Sequence, residues 1–189
     1  MVLASTSPFR RALLEKLGLA FTTCTPNIDE SPYPGENPQQ LVERLSLQKA
    51  RAMALAFPRA LIVGSDQVAC IDDAILGKPG SREVAIEQLK AASGRSVVFY
   101  TGLSLLNTAS GRQQTLCDSF TVHFRCLVQS QIERYLDAEA PYNCAGSFKS
   151  EGLGISLFER LQGDDPNTLI GLPLIRLVKM LDAEGVRVP

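Results

Sequence analysis

The alternation of strand-like and helix-like segments along the 189 residues constrains the fold more than any other feature of the sequence. Apolar or alternating stretches predict strands at residues 2–4, 60–71, 96–106 and 115–125, with a further strand near Ile155. Capping residues and apolar periodicity predict helices at residues 8–17, 38–57, 81–93, 129–139 and 172–184. Strands that alternate with helices without a strict period predict an α/β or α+β fold with a mixed sheet.

Composition limits the partners that such a chain can have. Nineteen Lys and Arg against twenty Asp and Glu give a net charge of −1, which argues against a basic face that grips long nucleic acid. The longest apolar runs, such as residues 52–57, are far shorter than the ~18 residues that a membrane span needs. No secretory signal is recognisable near the amino terminus. We therefore expect a soluble, cytoplasmic protein that meets any anionic ligand with local positive groups.

Side chains suited to nucleophilic or zinc chemistry are few. The five cysteines form no C-x-x-C pair, so we expect reduced, mostly buried thiols rather than a disulfide framework. The single histidine, His123, excludes a zinc site built from several histidines, and any Ser-His or Cys-His relay would have to use it. Its alternating stretch predicts the polar face of a strand, where a solvated role is the simpler interpretation.

The first candidate site lies where the first predicted strand passes into the first helix. Ser5, Thr6 and Ser7 lead into a helical turn that carries Arg10 and Arg11. Cations at this end oppose the helix macrodipole, each by roughly 0.3–1 kcal/mol. Free backbone amides, hydroxyls and guanidinium groups together could form a cradle for an anion such as phosphate. The alternative is that the arginines are solvated and the hydroxyls only cap the helix.

Three further charged residues are candidate site residues because of where each of them lies in the sequence. Lys49 lies within a long predicted helix, where a lysine is usually solvated. Lys78 lies between a glycine and a proline, which restrict the backbone that presents it. Asp66 ends an apolar strand, and ligand sites of α/β proteins form at the carboxyl ends of strands. Asp66 could hold a divalent metal, accept a proton from water, or serve only as a turn cap.

A set of short motifs runs through the chain in a fixed order. The motifs are Ser5-x-Ser7-Pro8-x-Arg10, Asp29-Glu30, Lys49-Ala50, Gly64-Ser65-Asp66, Gly77-Lys78-Pro79, Cys144-Ala145-Gly146-Ser147 and Gly171-Leu172-Pro173. This set resembles the Maf family of nucleoside triphosphate pyrophosphatases over nearly the whole chain. Gln67 and residues 148–152 and 165–168 resemble the branch of the family that acts on 7-methyl-GTP.

The resemblance implies a fold, an activity and a cofactor. The implied fold is α/β and related to inosine-triphosphate pyrophosphatases, with helices flanking a central twisted mixed sheet and a cleft, as one domain over residues 1–189. The implied activity is hydrolysis of the α–β phosphoanhydride of 7-methyl-GTP to the monophosphate and pyrophosphate, in a house-cleaning role. The implied cofactor is a divalent metal cation, Mg²⁺ or Mn²⁺, and a homodimer is possible. The family is also linked to arrest of cell division, so the alternative is a nucleotide-binding regulator of septum formation that acts through partner binding.

The resemblance also assigns roles to the residues of the phosphate site. Asp66 takes the place of the family's proton acceptor, and Arg10, Lys49 and Lys78 take the places of its phosphate-contacting cations. Ser5 lies in the same cradle. A metal could be held by Asp66 together with Glu30, which lies in a proline-rich loop over residues 26–38. The alternatives for Glu30 are that it belongs to a lid or that it is only a solvated loop residue.

Three positions separate substrate classes within the family. Phe9, Gln67 and Glu151 stand where the branch that acts on uridine and thymidine nucleotides has arginine, threonine and glutamine. UTP and dTTP are therefore not expected as main substrates. Glu151 could accept hydrogen bonds from the N1–H and N2–H₂ groups of the methylated guanine, and Phe9 could offer an aromatic face to the cationic ring.

Overall fold

The computed structural model describes residues 1–72 and 74–188. The chain divides into two compact units, each assembled from separate stretches of sequence. The first unit consists of Met1–Gln67, Thr101–Asp118 and Asp165–Pro189, and the second of Val68–Tyr100 and Ser119–Asp164.

Strands and helices alternate along the described residues. The strands are β1 (Val2–Ala4), β2 (Thr22–Cys24), β3 (Leu61–Ile71), β4 (Ala74–Leu76), β5 (Ser96–Asn107), β6 (Gln113–Phe124) and β7 (Phe158–Gln162). The helices are α1 (Pro8–Glu15), α2 (Pro38–Ala52), α3 (Arg82–Ala92), α4 (Gln129–Glu139), α5 (Pro166–Ile170) and α6 (Leu174–Ala183). Two short 3₁₀ turns cover Ala145–Ser147 and Leu153–Leu157.

The strands form a mixed sheet. Within the part of the chain that the structure describes, the strand order is β2-β1-β3-β5-β6-β7, and β4 pairs with β3. Strand β1 is parallel to both β2 and β3, with Val2 opposite Ile62 in the second pairing. The β3–β4 and β6–β7 pairs are antiparallel. Strands β5 and β6 are neighbours in the sheet and are joined by residues 108–112.

In the first unit, helices cover both faces of the sheet. Successive residues of a strand point to opposite faces. Leu3 and Val63 belong to a buried cluster with leucines of α1 and α6. Their neighbours Val2 and Ile62 belong to a second cluster that includes Ala50 of α2. The predicted α/β fold with a mixed sheet and flanking helices is confirmed.

The core of the second unit contains a cluster of four aromatic rings. Phe99, Phe124, Phe148 and Phe158 meet edge to face, with ring centroids 4.9–5.5 Å apart. This edge-to-face arrangement is the one that the quadrupoles of aromatic rings favour. In the same unit, helix α3 packs against helix α4.

The strand predicted near Ile155 is present as β7, but it begins at Phe158, because Ile155 itself lies in a 3₁₀ turn. The amide of Gly154 donates to the carbonyl oxygen of Lys149 at 3.1 Å, which folds the segment back on itself. A Cβ at Gly154 would lie 2.2 Å from that oxygen, so the turn requires glycine. The local turn therefore overrides the strand propensity of the isoleucine.

Two further predictions need correction. Helix α2 ends at Ala52 rather than at residue 57, because the amide of Met53 turns back to the carbonyl of Ala50. The expectation of mostly buried thiols is also wrong, because only Cys70 of the five cysteines is buried, whereas Cys126 is exposed and the other three are half-buried. Burial raises the pKa of the Cys117 thiol to about 12. In the described ranges, the structure contains no helix with the length and apolar character that crossing a membrane requires.

Candidate active site

Glycines in two strands allow helix α2 to lie directly on the sheet. A Cβ at Gly64 would fall 2.0 Å from the carbonyl oxygen of Ser46, and one at Gly102 would come equally close to the backbone of the same helix. Because side chains alternate along β3, Asp66 lies on the same face as Gly64. Lys49 follows Ser46 by about one helical turn. The close approach of α2 therefore brings Lys49 to Asp66.

The Lys49 ammonium lies between two carboxylates. Its Nζ is 2.5 Å from Oδ1 of Asp66 and 2.8 Å from Oε1 of Glu30. The side chains of Lys49 and Asp66 are only 8% and 11% exposed, whereas that of Glu30 is 57% exposed. A buried ammonium and a buried carboxylate compensate each other's desolvation. Three of the predicted site residues thus meet at one point of the first unit.

Arg10 is held beside this cluster by a backbone carbonyl. Its Nε donates to the carbonyl oxygen of Gly171 at 2.8 Å, and the hydroxyl of Ser65 donates to the same oxygen at 2.9 Å. Gly171 has φ +124°, a conformation that L side chains rarely adopt. Burial lowers the pKa of Arg10, and the charges of Asp66 and Glu30 oppose that effect. The guanidinium therefore lies within the field of both carboxylates.

The hydroxyls that precede α1 organise the start of the helix. The Oγ of Ser7 accepts a hydrogen bond from the backbone amide of Arg10 at 3.4 Å, which is the geometry of an N-cap. The Oγ of Ser5 accepts from the amide of Ser7 at 3.1 Å, and Ser5 is buried. Phe9 is half-buried on α1. Capping by Ser7 is thus observed, and the anion cradle stays a prediction.

Gln67 is anchored to the protein through its amide group. Its Nε2 lies within hydrogen-bonding distance of the Thr168 carbonyl (2.8 Å), the Leu169 carbonyl (3.1 Å) and Oγ1 of Thr101 (2.9 Å). The Thr101 hydroxyl donates to the same Thr168 carbonyl at 2.9 Å. This network ties β3 and β5 to the end of α5. The amide nitrogen of Gln67 is therefore committed to holding the fold.

Lys78 and Glu151 belong to the second unit. Lys78 is exposed in the segment between β4 and α3. The carbonyl of the preceding Gly77 accepts a hydrogen bond from Nε2 of Gln88 at 3.0 Å, so the segment is fixed beside the lysine. Glu151 is exposed, and the hydroxyl of Ser150 donates to its Oε2 at 3.3 Å.

The donor set at Lys49 fits a divalent cation that arrives with a phosphate ligand. Among residues 1–72 and 74–188, no three or more His, Cys, Asp or Glu side chains lie close enough to hold a metal by themselves. Asp66 and Glu30 supply two carboxylates that already converge on one cation, the Lys49 ammonium. Mg²⁺ and Mn²⁺ prefer oxygen ligands, and Mg²⁺ is commonly held by one or two carboxylates together with substrate phosphates.

His123 forms hydrogen bonds in the second unit instead of pointing freely into solvent. Its Nδ1 lies 2.8 Å from the Oγ of Ser96, and a guanidinium nitrogen of Arg160 lies 2.9 Å from its Nε2. The same Nε2 also lies 3.2 Å from Oε1 of Gln162. Both ring nitrogens of His123 therefore have polar partners within the second unit.

Sequence reasoning missed the groups that hold the charged residues in place. The Gly171 carbonyl positions Arg10, and the Ser65 hydroxyl donates to that carbonyl. Thr101 helps to position Gln67. Gly171 and Ser65 lie in motifs that carry the family resemblance, and this was the only sign in the sequence that they belong to the site. No feature of the sequence distinguished Thr101.

Comparisons with known proteins cover the whole chain. Residues 1–184 match the sequence profile of the family described as Maf-like protein. The 7-methyl-GTP pyrophosphatase of Alcanivorax borkumensis is 61% identical over 189 residues, 100% of this chain and 96% of that protein. Proteins of the same name from Vibrio cholerae and Pseudomonas aeruginosa are 58% and 57% identical, over 100% of this chain and 97% and 98% of theirs. A solved structure of the Staphylococcus aureus Ham1 protein aligns at 16% identity over 65% of this chain and 70% of that chain, with a TM-score of 0.46.

Proposed function

The chain belongs to the family of Maf-like proteins, and from this premise we propose that it hydrolyses 7-methyl-GTP to the monophosphate and pyrophosphate. Its role is to remove this modified nucleotide from the cell's pool. The proposal is supported by full-length relatives at 57–61% identity that are named 7-methyl-GTP pyrophosphatases. The observation that carries it is the Lys49 ammonium between the carboxylates of Asp66 and Glu30, with Arg10 in their field.

The cations serve the phosphate chain. Water that attacks a nucleotide's phosphoryl group must approach a centre surrounded by negative oxygens, and the departing pyrophosphate gathers further charge. Arg10 and Lys49 are fixed cations that stabilise this charge, and fixed charges cost little reorganisation during the reaction. Lys78 is a further candidate for contact with phosphate, by its place in the family's motif.

Asp66 is the proton acceptor. Its carboxylate orients the attacking water and takes a proton from it, which is the task of a general base. Asp66 and Glu30 are the residues that would hold Mg²⁺ or Mn²⁺, which supplies charge neutralisation to the phosphate oxygens when it is bound. No covalent intermediate on the protein is needed.

Glu151 and Phe9 select the base. Methylation at N7 makes the guanine ring cationic and leaves N1–H and N2–H₂ as adjacent donors, which one carboxylate can accept together. An aromatic face is worth roughly 0.5–2 kcal/mol to a cation, whereas an arginine at position 9 would repel it. The anchoring of Gln67 within the protein favours an indirect role, in which its amide shapes the pocket wall.

A substrate panel with product identification tests the proposal. We expect pyrophosphate and 7-methyl-GMP from 7-methyl-GTP, with much slower turnover of UTP and dTTP. Release of orthophosphate alone would contradict cleavage between the α- and β-phosphates. The Asp66→Asn variant should lose about 10²–10⁴-fold in kcat while still binding nucleotide, because the general base is removed. Unchanged turnover would remove Asp66 from the mechanism.

Oligomeric state and compartment belong to the same proposal. We expect a cytoplasmic protein, since its nucleotide substrate is a cytoplasmic metabolite, and a homodimer as in many family members. Light scattering of the purified protein gives the mass directly, and a value near the 20.5 kDa of one chain would contradict the dimer.

A further inference from the structure

In the second unit, the segment that carries Glu151 is fastened at both ends by one carboxylate. Glu139, the last residue of α4, accepts a hydrogen bond from the Lys149 ammonium on Oε1 at 3.3 Å. Its Oε2 accepts from the backbone amide of Leu153 at 2.7 Å. The same ammonium also donates to the Glu139 carbonyl oxygen at 3.0 Å. Residues 149–153 are thus closed into a loop around Glu151 by a single side chain.

The neighbouring groups leave this carboxylate little freedom. Its side chain is only 17% exposed. A Cβ at Gly152 would lie 2.6 Å from Oε2 of Glu139, so the backbone of the loop packs directly on the carboxylate. The hydroxyl oxygen of Tyr135 accepts a hydrogen bond from the Lys149 amide at 3.1 Å, which fixes the start of the loop from the same helix.

The contact also determines where the charge of Lys149 lies. Lys149 is two residues from Glu151, and a flexible lysine at that spacing can reach the glutamate. Because Glu139 accepts the ammonium through both its carboxylate and its carbonyl, the Lys149 charge is withdrawn from Glu151. The exposed Glu151 carboxylate then remains available to a cationic ligand.

We propose that Glu139 is a positioning residue that sets the preference for a cationic, methylated guanine base by holding the Glu151 loop and keeping Lys149 away from Glu151. This inference rests on the proposed function, specifically on recognition of the base by Glu151. Glu139 itself does not touch the substrate; it acts through Glu151.

The test measures pyrophosphate release from 7-methyl-GTP and from UTP for Glu139→Gln and Gly152→Ala, which disturb the same contact from opposite sides. Loss of a charge-assisted contact predicts about a tenfold fall in kcat/KM for 7-methyl-GTP, mainly through KM, with UTP changed by less than about twofold. Glu133→Gln is the matched control, because Glu133 lies on the same helix and its carboxylate accepts a hydrogen bond from Gln129 within that helix. This control should leave both substrates unchanged.

A double-mutant cycle separates a positioning role from a general loss of structure. If Glu139 acts through Glu151, then adding Glu139→Gln to Glu151→Gln should not change the substrate ratio further. Multiplicative losses in the double variant would overturn the inference, and so would equal losses for both substrates in Glu139→Gln. In either case, a loss in Glu151→Gln that is confined to 7-methyl-GTP would still uphold the proposed function. Equal losses for both substrates in Glu151→Gln would overturn base recognition by that residue, and the inference with it.

Discussion

At the scale of single residues, the site depends on a charge balance around Lys49. One ammonium faces two carboxylates, so the resting cluster carries a net negative charge that Arg10 offsets through its field. A cluster of this kind has a place for a further cation once phosphate enters, because each phosphate brings negative charge of its own. The same side chains thus serve both the stability of the fold and the binding of the ligands.

Replacement of Lys49 by methionine tests how far this charge balance stabilises the protein. The Asp66 carboxylate would stay buried without its partner, and removal of one partner of a buried pair lowers the free energy of unfolding by about 3–5 kcal/mol. We expect a value at the lower end of this range, because the other partner of Lys49, Glu30, is exposed to solvent. Added Mg²⁺ should raise the melting temperature of Lys49→Met more than that of the wild type, since the two carboxylates then bind a cation in place of the ammonium. Differential scanning fluorimetry measures both effects.

The control for this experiment is Lys90→Met, which breaks an exposed pair with Glu87 and should show neither effect. An equal rise in melting temperature with Mg²⁺ in the wild type and in Lys49→Met would argue against Asp66 and Glu30 as the metal ligands.

The sequence predicted the charged residues of the cluster but not the groups that position their side chains. Lys49, Asp66 and Glu30 were found as motif residues, and the structure brings them together. The carbonyl that positions Arg10 is 161 residues away along the chain, at Gly171. Every residue has a carbonyl, so only the folded backbone shows which one is used.

At the scale of elements, Arg44 fastens the proline-rich loop to α2. Its guanidinium makes two hydrogen bonds to the carboxylate of Glu36, at 2.6 and 2.7 Å, and a third to the carbonyl of Ser31 at 3.0 Å. It also stacks 3.9 Å from the ring centroid of Tyr33. Helix α2 therefore holds both Lys49 and the loop that presents Glu30.

Loss of this fastening should depend on pH in a defined direction. The hydrogen bonds from Arg44 lower the pKa of Glu36 below its ordinary value of 4.5. A carboxylate with a lowered pKa contributes stability above its unfolded pKa, and this stability is lost as the pH falls through the folded value. Glu36→Gln should therefore reduce the free energy of unfolding by about 1 kcal/mol at neutral pH, and by less as the pH falls below 4.5.

Urea unfolding of both proteins over this pH range measures the difference. Glu87→Gln serves as the control, since its exposed pair with Lys90 should contribute almost nothing at any pH. A difference that is constant down to acidic pH would mean that packing, not charge, connects Glu36 to the loop.

The type of an element could be predicted where its apolar periodicity extends over many residues. The residues at which elements begin and end could not be predicted. Helix α2 was predicted from its apolar spacing, yet the close contact of Gly64 and Gly102 with its backbone was not visible in the pattern. The strand predicted near Ile155 begins only at Phe158, because a turn between Lys149 and Gly154 and the 3₁₀ turn after it precede the strand. Periodicity reports which face is apolar, whereas such turns depend on single backbone contacts.

At the scale of the whole molecule, the chain passes repeatedly between the two compact units. Strands β3, β5 and β6 each begin in one unit and end in the other, with the changes after Gln67, Tyr100 and Asp118. A division that falls inside strands differs from one that falls in flexible linkers, where domain boundaries usually lie. The prediction of one domain over residues 1–189 can therefore be tested by cooperativity.

We expect a single unfolding transition in differential scanning calorimetry. Unfolding of one unit would cut three continuous strands of a hydrogen-bonded sheet, so the native ladders should be lost together. The calorimetric enthalpy, about 0.7 kcal/mol per residue near 60 °C, should then equal the van't Hoff enthalpy. The Lys49→Met variant should shift this transition as a whole, although both ion pairs of Lys49 lie in the first unit. Two resolved transitions, of which only one moves in Lys49→Met, would show instead that the units unfold as separate domains.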